Sequence, residues 1–151
     1  MNITDRFKFL TNKAENIVIT THIYPDADGI GSEIALCLAM RAMGKNAICV
    51  NEEPLLERYK YLDPCEVVIS LQDYLAFYPE AEIDLFIVTD TNSLERIGEG
   101  LKNVAKNVPE HLFVDHHPCS KTVMTNHCID TTKAATGELA GDLIRALGIE
   151  L

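Results

Sequence analysis

The stretch "NIVITTHIYPDADGIGSEIALCLAMRAMG" (residues 16–44) places a strand, a charged segment and a helix in direct succession. Residues 17–21 are all β-branched, which is typical of a buried strand in a sheet covered on both faces. Residues 33–43 carry the apolar side chains of a helix, and His22, Asp26 and Asp28 lie between the two elements. This order predicts an α/β fold with polar side chains at the end of its first strand.

The same alternation of strands and helices continues along the whole chain. It predicts further strands at residues 47–50, 67–69, 85–89 and 112–114, and helices at 4–12, around 55–62, around 94–106 and at 136–147. We therefore expect one α/β domain, a doubly wound and mainly parallel sheet with helices on both faces.

Length, composition and charge limit the classes of function. The 151 residues are enough for a single domain, and the net charge of −10 argues against binding long nucleic acid. No apolar run reaches the roughly 18 residues that cross a membrane, and no signal peptide precedes the first strand, so we expect a cytoplasmic protein. The five cysteines are scattered without paired spacing, which favours reduced thiols over a disulfide framework or a zinc site.

Carboxylates and imidazoles follow three of the predicted strands. His22, Asp26 and Asp28 follow the first, Asp90 follows "LFIVT", and "DHH" (residues 115–117) follows "LFV". The carboxyl ends of parallel strands lie along one edge of a sheet, which is the usual ligand crevice. We expect these side chains to converge there.

Several carboxylates in one crevice repel each other unless positive charge lies among them. Aspartate oxygens and imidazole nitrogens without thiolate suit Mn²⁺, with Mg²⁺ as the alternative. Two ions about 3.5–4 Å apart would need a shared carboxylate, and Asp90 is the natural bridge. Each motif taken alone also fits ordinary structure, since "PDADG" is a turn sequence and Asp90 could begin a helix.

Gly29 and Gly31 would let the backbone approach a ligand, and the N–H groups of the next helix could bind a phosphate oxygen.

The order "HIYPDADGIGS", Asp90 and "VDHHP" resembles the DHH phosphoesterase superfamily. The segments "VNEEPLLERYKYLDP" (residues 50–64), "TDTNSLERIG" and "IDTTKAATGEL" resemble its nanoRNase branch. Members of that branch degrade short oligoribonucleotides and dephosphorylate 3′-phosphoadenosine 5′-phosphate (pAp). The resemblance implies the same hydrolysis here, by a water that two divalent cations activate. The substrate would be a short RNA or a phosphorylated nucleotide, and the protein could form a homodimer.

The resemblance also implies roles for individual residues. His22, Asp26 and Asp90 would hold one metal ion, and Asp28, Asp90 and His116 would hold the second.

The catalytic residues implied by the resemblance are Asp90, Asp115 and His117. Asp115 would orient the cluster, and His117 would face the scissile phosphate and stabilise or protonate it. Gly31, Ser32 and Arg96 are the candidates for contact with the substrate.

The chain departs from the family pattern at its end. The family's last metal ligand is an aspartate beyond the "AATGEL" helix, and neither Asp130 nor Asp142 matches it. The C-terminal substrate domain (the DHHA1 type) is also not recognised, so we expect residues 1–151 to be the metal-binding half of a longer enzyme. Alone, this half should keep the first metal site, have a weakened second site and show little or no turnover. The competing hypotheses are a cyclic dinucleotide phosphodiesterase and an inactive metal-binding or interaction module.

Overall fold

A computed structural model of the chain describes residues 1–150. Its centre is one six-stranded sheet in which every neighbouring pair of strands is parallel, in the order β3-β2-β1-β4-β5-β6. The strands are β1 (Asn16–Thr21), β2 (Asn46–Asn51), β3 (Val68–Ser70), β4 (Leu85–Thr89), β5 (Glu110–Asp115) and β6 (Cys128–Ile129). The predicted α/β class is confirmed.

Six α-helices of residues 1–150 cover the sheet on both faces. They are α1 (Ile3–Lys13), α2 (Ala27–Ala42), α3 (Leu71–Phe77), α4 (Glu99–Ala105), α5 (Lys121–Asn126) and α6 (Thr136–Ala146). Successive residues of β1 point to opposite faces, so Ile17 and Ile19 pack with α1, α2 and α6, while Val18 packs with α3 and α4. Two separate apolar layers therefore enclose the sheet, as the continuous hydrophobic strands predict.

The strand order positions the site. From the β3 edge the chain returns to the middle of the sheet, where β4 pairs with β1 on the side opposite β2. The connections after β1 and after β4 therefore leave the sheet on opposite sides, and a crevice opens between them at the carboxyl ends of the strands. His22 and Asp90 directly follow these two strands.

The main local difference from the sequence prediction is the start of α2. The helix begins at Ala27 rather than at Glu33, because the side chain of Asp26 accepts a hydrogen bond from the Gly29 N–H (3.0 Å) and caps the first turn. Gly29 is required for packing on the sheet, since a Cβ there would collide with the side chain of Thr21. The "PDADG" segment is thus a helix start.

Smaller elements also differ from the prediction. The structure adds β6, α3 and α5, and it divides the predicted helix 94–106 into a 3-10 turn (Leu94–Arg96) and α4. Gly98 separates the two parts, and its left-handed backbone (φ 103°) ends the turn before α4 begins. The segment predicted as a helix around 55–62 is a 3-10 helix, Glu57–Leu62.

All five cysteines are free thiols, as the sequence predicts. None of the helices in residues 1–150 has the length and apolar character that a membrane span requires.

His127 makes the stability of the fold depend on pH. Burial, together with the nearby charges of Arg6 and His111, lowers the pKa of His127 from 6.5 to about 4. The unfolded chain therefore binds a proton that the folded chain rejects, and stability is lost as the pH falls from about 6.5 towards 4. We expect the urea midpoint of His127→Asn to fall less between pH 7 and pH 5 than that of the unmodified chain. Equal losses in both chains would exclude this role.

Candidate metal centre

Asp90 lies at the centre of the polar cluster. It follows β4, is only 3% exposed, and has a left-handed backbone (φ 61°) that is uncommon for a residue other than glycine. Its N–H donates to the carbonyl of Val114 on β5 (3.0 Å), which fixes it between two strand ends. Backbone strain of this kind is frequent at functional sites.

One side of the cluster comes from the segment after β1. Nε2 of His22 lies 3.3 Å from Oδ2 of Asp90, and donor atoms of His22, Asp26 and Asp90 all lie within 4.8 Å of one another. Nδ1 of His22 contacts the carbonyl of Ile23 (2.8 Å), so Nδ1 carries the proton in the neutral ring. In that neutral form the electron pair of Nε2 is free for a cation, whereas in the protonated ring Nε2–H donates to Oδ2 of Asp90.

The other side of the cluster comes from the segment after β5. Nε2 of His116 lies 3.8 Å from Oδ1 of Asp90 and 3.8 Å from Oδ2 of Asp28. Nδ1 of His116 is 3.3 Å from the carbonyl of Lys133, the arrangement that orients a metal-binding imidazole. Donor atoms of Asp90, His116 and His117 form a second group within 4.8 Å.

Asp28 occupies a separate position at the edge of this second group. Its two carboxylate oxygens accept the backbone N–H groups of Thr136 (3.0 Å) and Gly137 (2.8 Å) at the N-terminus of α6. A helix N-terminus stabilises a carboxylate in this way. The side chain is therefore held beside His116 by α6.

The two oxygens of Asp90 face different histidines. Oδ2 is near His22, whereas Oδ1 is near His116. Asp90 is also the one residue common to the two groups of donor atoms found in residues 1–150. This geometry is what a carboxylate bridging two cations requires.

Asp115 organises the end of β5 without belonging to either group. It is fully buried, and its Oδ1 accepts the backbone N–H of His116 (2.9 Å) and contacts Nδ1 of His117 (2.7 Å). Its Oδ2 accepts a hydrogen bond from the side chain of Asn92 (2.8 Å). Since Nδ1 of His117 is bound in this way, Nε2 remains as the reactive atom of a ring that is 50% exposed.

Electrostatics in the cluster favour a cation. Burial raises the pKa of Asp90, and repulsion from Asp28 and Asp26 adds to it, although hydrogen bonds from His22 and Thr136 oppose the shift. The hydrogen bond with Asp90 raises the pKa of His22 above 6.5 against the opposing effect of burial. For Asp26, burial acts to raise the pKa, but the Gly29 N–H and the charge of His22 outweigh it and lower the pKa.

The donor set fits divalent cations of the Mn²⁺ or Mg²⁺ type. Two donors about 2.1 Å from one cation lie about 3.0–4.2 Å apart, a range that includes the 3.3 Å and 3.8 Å separations around Asp90. The ion pairs of Asp90 within residues 1–150 are all with histidines, so no lysine or arginine there neutralises it directly. A bound cation would supply the missing charge.

The predicted substrate contacts lie in three different environments. Gly31 is half-buried in α2 and has open space where a Cβ would stand. Ser32 is 1% exposed, and its Oγ has no hydrogen-bond partner among the described residues, so in this arrangement it has no surface to offer a substrate. Arg96 is exposed, and its carbonyl accepts the N–H of Ile23 (2.7 Å), which places it next to the segment that carries His22.

Sequence reasoning about individual residues missed Thr136 and Asn92. Oγ1 of Thr136 donates to Oδ1 of Asp90 (2.9 Å) while its backbone N–H binds Asp28, so one residue supports both carboxylates. The "AATGEL" segment was the available signal, because it places a threonine hydroxyl at the first residue of the predicted helix 136–147. Asp130 and Asp142 are engaged elsewhere, with Thr132 and with Lys133 and Arg145.

The chain is similar to several known proteins. The family model "DHH family, N-terminal domain" matches residues 16–150. The bifunctional oligoribonuclease and PAP phosphatase NrnA of Thermus thermophilus is 32% identical over 142 residues, which are 89% of this chain and 38% of that protein. An uncharacterised protein of Mycoplasma pneumoniae, the MG371 homolog, is 31% identical over 147 residues, 94% of this chain and 42% of its own length.

The fold also matches a solved structure. An exopolyphosphatase-related protein from Bacteroides fragilis superposes with a TM-score of 0.82 at 24% identity, covering 96% of this chain and 43% of that one. The chain thus spans about two fifths of the length of the relatives it matches. With a family model that matches residues 16–150, the chain belongs to the DHH family of phosphoesterases and carries its N-terminal domain.

Proposed function

We propose that this domain binds two divalent cations, preferably Mn²⁺, and takes part in hydrolysing short oligoribonucleotides or pAp. The main support for the proposal is that one carboxylate oxygen of Asp90 lies near His22 and the other lies near His116. His22, Asp26 and Asp90 would hold one cation, and Asp90, Asp28 and His116 the other. The similarity to NrnA supports the substrate class, which is the one that its name states.

The protein's own residues would prepare the phosphoester for attack. The bound cations would neutralise phosphate oxygens and lower the pKa of the attacking water. Asp115 holds Nδ1 of His117, so Nε2 of His117 is available to donate a hydrogen bond or a proton to the phosphate or the leaving oxygen. Arg96 would contact a further phosphate of the substrate from its exposed position. A cytoplasmic location and a homodimer stay predictions.

The activity is tested with the purified chain, Mn²⁺ and two substrates, the dinucleotide pApA and pAp. We expect only slow cleavage and phosphate release from this chain alone, at a rate that EDTA abolishes and that exceeds the background measured with Asp90→Asn. Turnover that is equal in the two proteins would contradict the proposal. Including cyclic di-AMP as a third substrate distinguishes the alternative phosphodiesterase, and binding of Mn²⁺ without turnover on any substrate would favour a metal-binding module.

Thr136 provides a separate prediction for this site. The change Thr136→Val preserves the side-chain shape but removes the hydrogen bond to Asp90, while the backbone contact with Asp28 can remain. We expect Mn²⁺ affinity to fall about 10-fold or more, as for other residues that orient metal ligands. Isothermal titration measures this, with Thr132→Val as the control because Thr132 bonds only to Asp130. Similar affinities in both variants would remove Thr136 from the site.

A further inference from the structure

Tyr24 is an unusual residue beside the proposed metal centre. Its side chain is 90% exposed, and its backbone has a left-handed conformation (φ 54°) that a bulky side chain rarely adopts. The preceding residue is held firmly, because the Ile23 N–H donates to the carbonyl of Arg96 (2.7 Å) and the Ile23 carbonyl contacts the ring of His22 (2.8 Å). The fold thus maintains an aromatic ring in solvent, at a strained position, two residues from a proposed ligand.

Tyr24 borders a cavity of about 480 Å³, a size within the range of small-molecule sites. His22 also lines this cavity, so the cavity adjoins the cluster around Asp90. The other apolar side chains that line it are Ile23, Pro25, Pro54, Leu55, Leu56 and Ile97. A flat, largely apolar group attached to a phosphate held at the cluster would reach this space.

The charges at the cavity select against a phosphate inside it. Its ionisable lining besides His22 and Tyr24 consists of Glu52, Glu53 and Glu99, and no lysine or arginine of residues 1–150 lines it. The carboxylate of Glu52 is bound to the N–H groups of Gly100 (3.0 Å) and Leu101 (2.9 Å), whereas Glu53 and Glu99 are exposed. An uncharged group that carries N–H donors fits this rim, and an anionic group does not.

We infer that this cavity is a subsite for the nucleobase of the substrate, with Tyr24 as the ring on which the base stacks. The inference rests on the proposed function, since it assigns the phosphate of the same nucleotide to the metal centre. Every nucleobase has a flat face, so stacking on Tyr24 would tolerate different bases. The acidic rim favours the amino-bearing bases adenine, cytosine and guanine over uracil.

Fluorescence tests the subsite directly, because the chain contains no tryptophan. The variant Tyr24→Trp places a single indole at the cavity, and Tyr61→Trp is the matched control, at a tyrosine that is 74% exposed and does not line the cavity. We expect millimolar adenosine, without any metal, to quench the fluorescence of Tyr24→Trp and to leave Tyr61→Trp unchanged. Equal quenching in both variants, or none in either, would overturn the inference.

A binding measurement separates the base from the phosphate. In the presence of Mn²⁺ we expect Tyr24→Asn, whose new side chain tolerates a left-handed backbone, to bind AMP roughly tenfold more weakly. Affinity for ribose 5-phosphate should be unchanged, and Tyr24→Phe should bind both as the unmodified chain does. If the chain did not bind Mn²⁺ at the proposed centre, it would bind neither AMP nor ribose 5-phosphate. Adenosine would still quench the indole of the Tyr24→Trp variant. Unchanged AMP affinity in Tyr24→Asn would contradict stacking.

Discussion

The change Asp90→Asn is expected to lower Mn²⁺ affinity more than about a hundredfold, beyond the roughly 10- to 100-fold typical of residues outside the ligand sphere. Asparagine keeps the shape of the side chain but removes its charge and one of the two oxygens that face His22 and His116. Both proposed cation positions lose the same residue, so neither can compensate for the other. Isothermal titration with Mn²⁺ measures the loss.

The same change should not unfold the metal-free chain. Burial and the neighbouring carboxylates raise the pKa of Asp90, so its ionised form destabilises the folded state at neutral pH. We expect the free energy of unfolding of metal-free Asp90→Asn to equal or exceed that of the unmodified chain. Asp130→Asn is the control, because within residues 1–150 its carboxylate accepts hydrogen bonds from Thr132 alone. An Mn²⁺ affinity within tenfold of the unmodified chain would exclude Asp90 as the bridge.

The change Asp115→Ala is expected to destabilise the metal-free fold by about 3 kcal/mol. It removes the fully buried acceptor of three donors at the end of β5: the N–H of His116, Nδ1 of His117 and the amide of Asn92. Each of these partly buried donors loses a hydrogen bond, and the small alanine side chain leaves most of the vacated space empty. Urea unfolding measures the loss.

Asp130→Ala provides the comparison for this prediction. Its carboxylate also accepts two hydrogen bonds, but both come from the exposed residue Thr132, and water can replace them. We expect that variant to lie within about 1 kcal/mol of the unmodified chain. A similar, small effect in both variants would mean that Asp115 does not organise the end of β5.

The sequence was sufficient to predict the fold class and the convergence of the site. Long runs such as "LFIVT" are buried in the centre of a parallel sheet, and the edge to which they deliver His22, Asp90 and His116 follows from that topology. The short elements β6, α3 and α5 were not predictable in the same way, because two to seven residues contain too little periodicity.

The start of α2 and the role of Thr136 depend on contacts that the sequence does not display. The local sequence around Gly29 is typical of a loop, yet Gly29 lies inside α2, at a position where the side chain of Thr21 leaves no space for a Cβ. Thr136 is 46 residues from Asp90 and 108 from Asp28 along the chain, so its hydrogen bonds with both become visible only in the folded structure. Long-range side-chain contacts of this kind carry no local signal.

Bridging of two cations by Asp90 is tested by the anomalous diffraction of crystals of the chain soaked in Mn²⁺. We expect two peaks about 3.5–4 Å apart, one on the His22 side of Asp90 and one on its His116 side. A single peak that does not contact Asp90, or none at this cluster at saturating Mn²⁺, would contradict it.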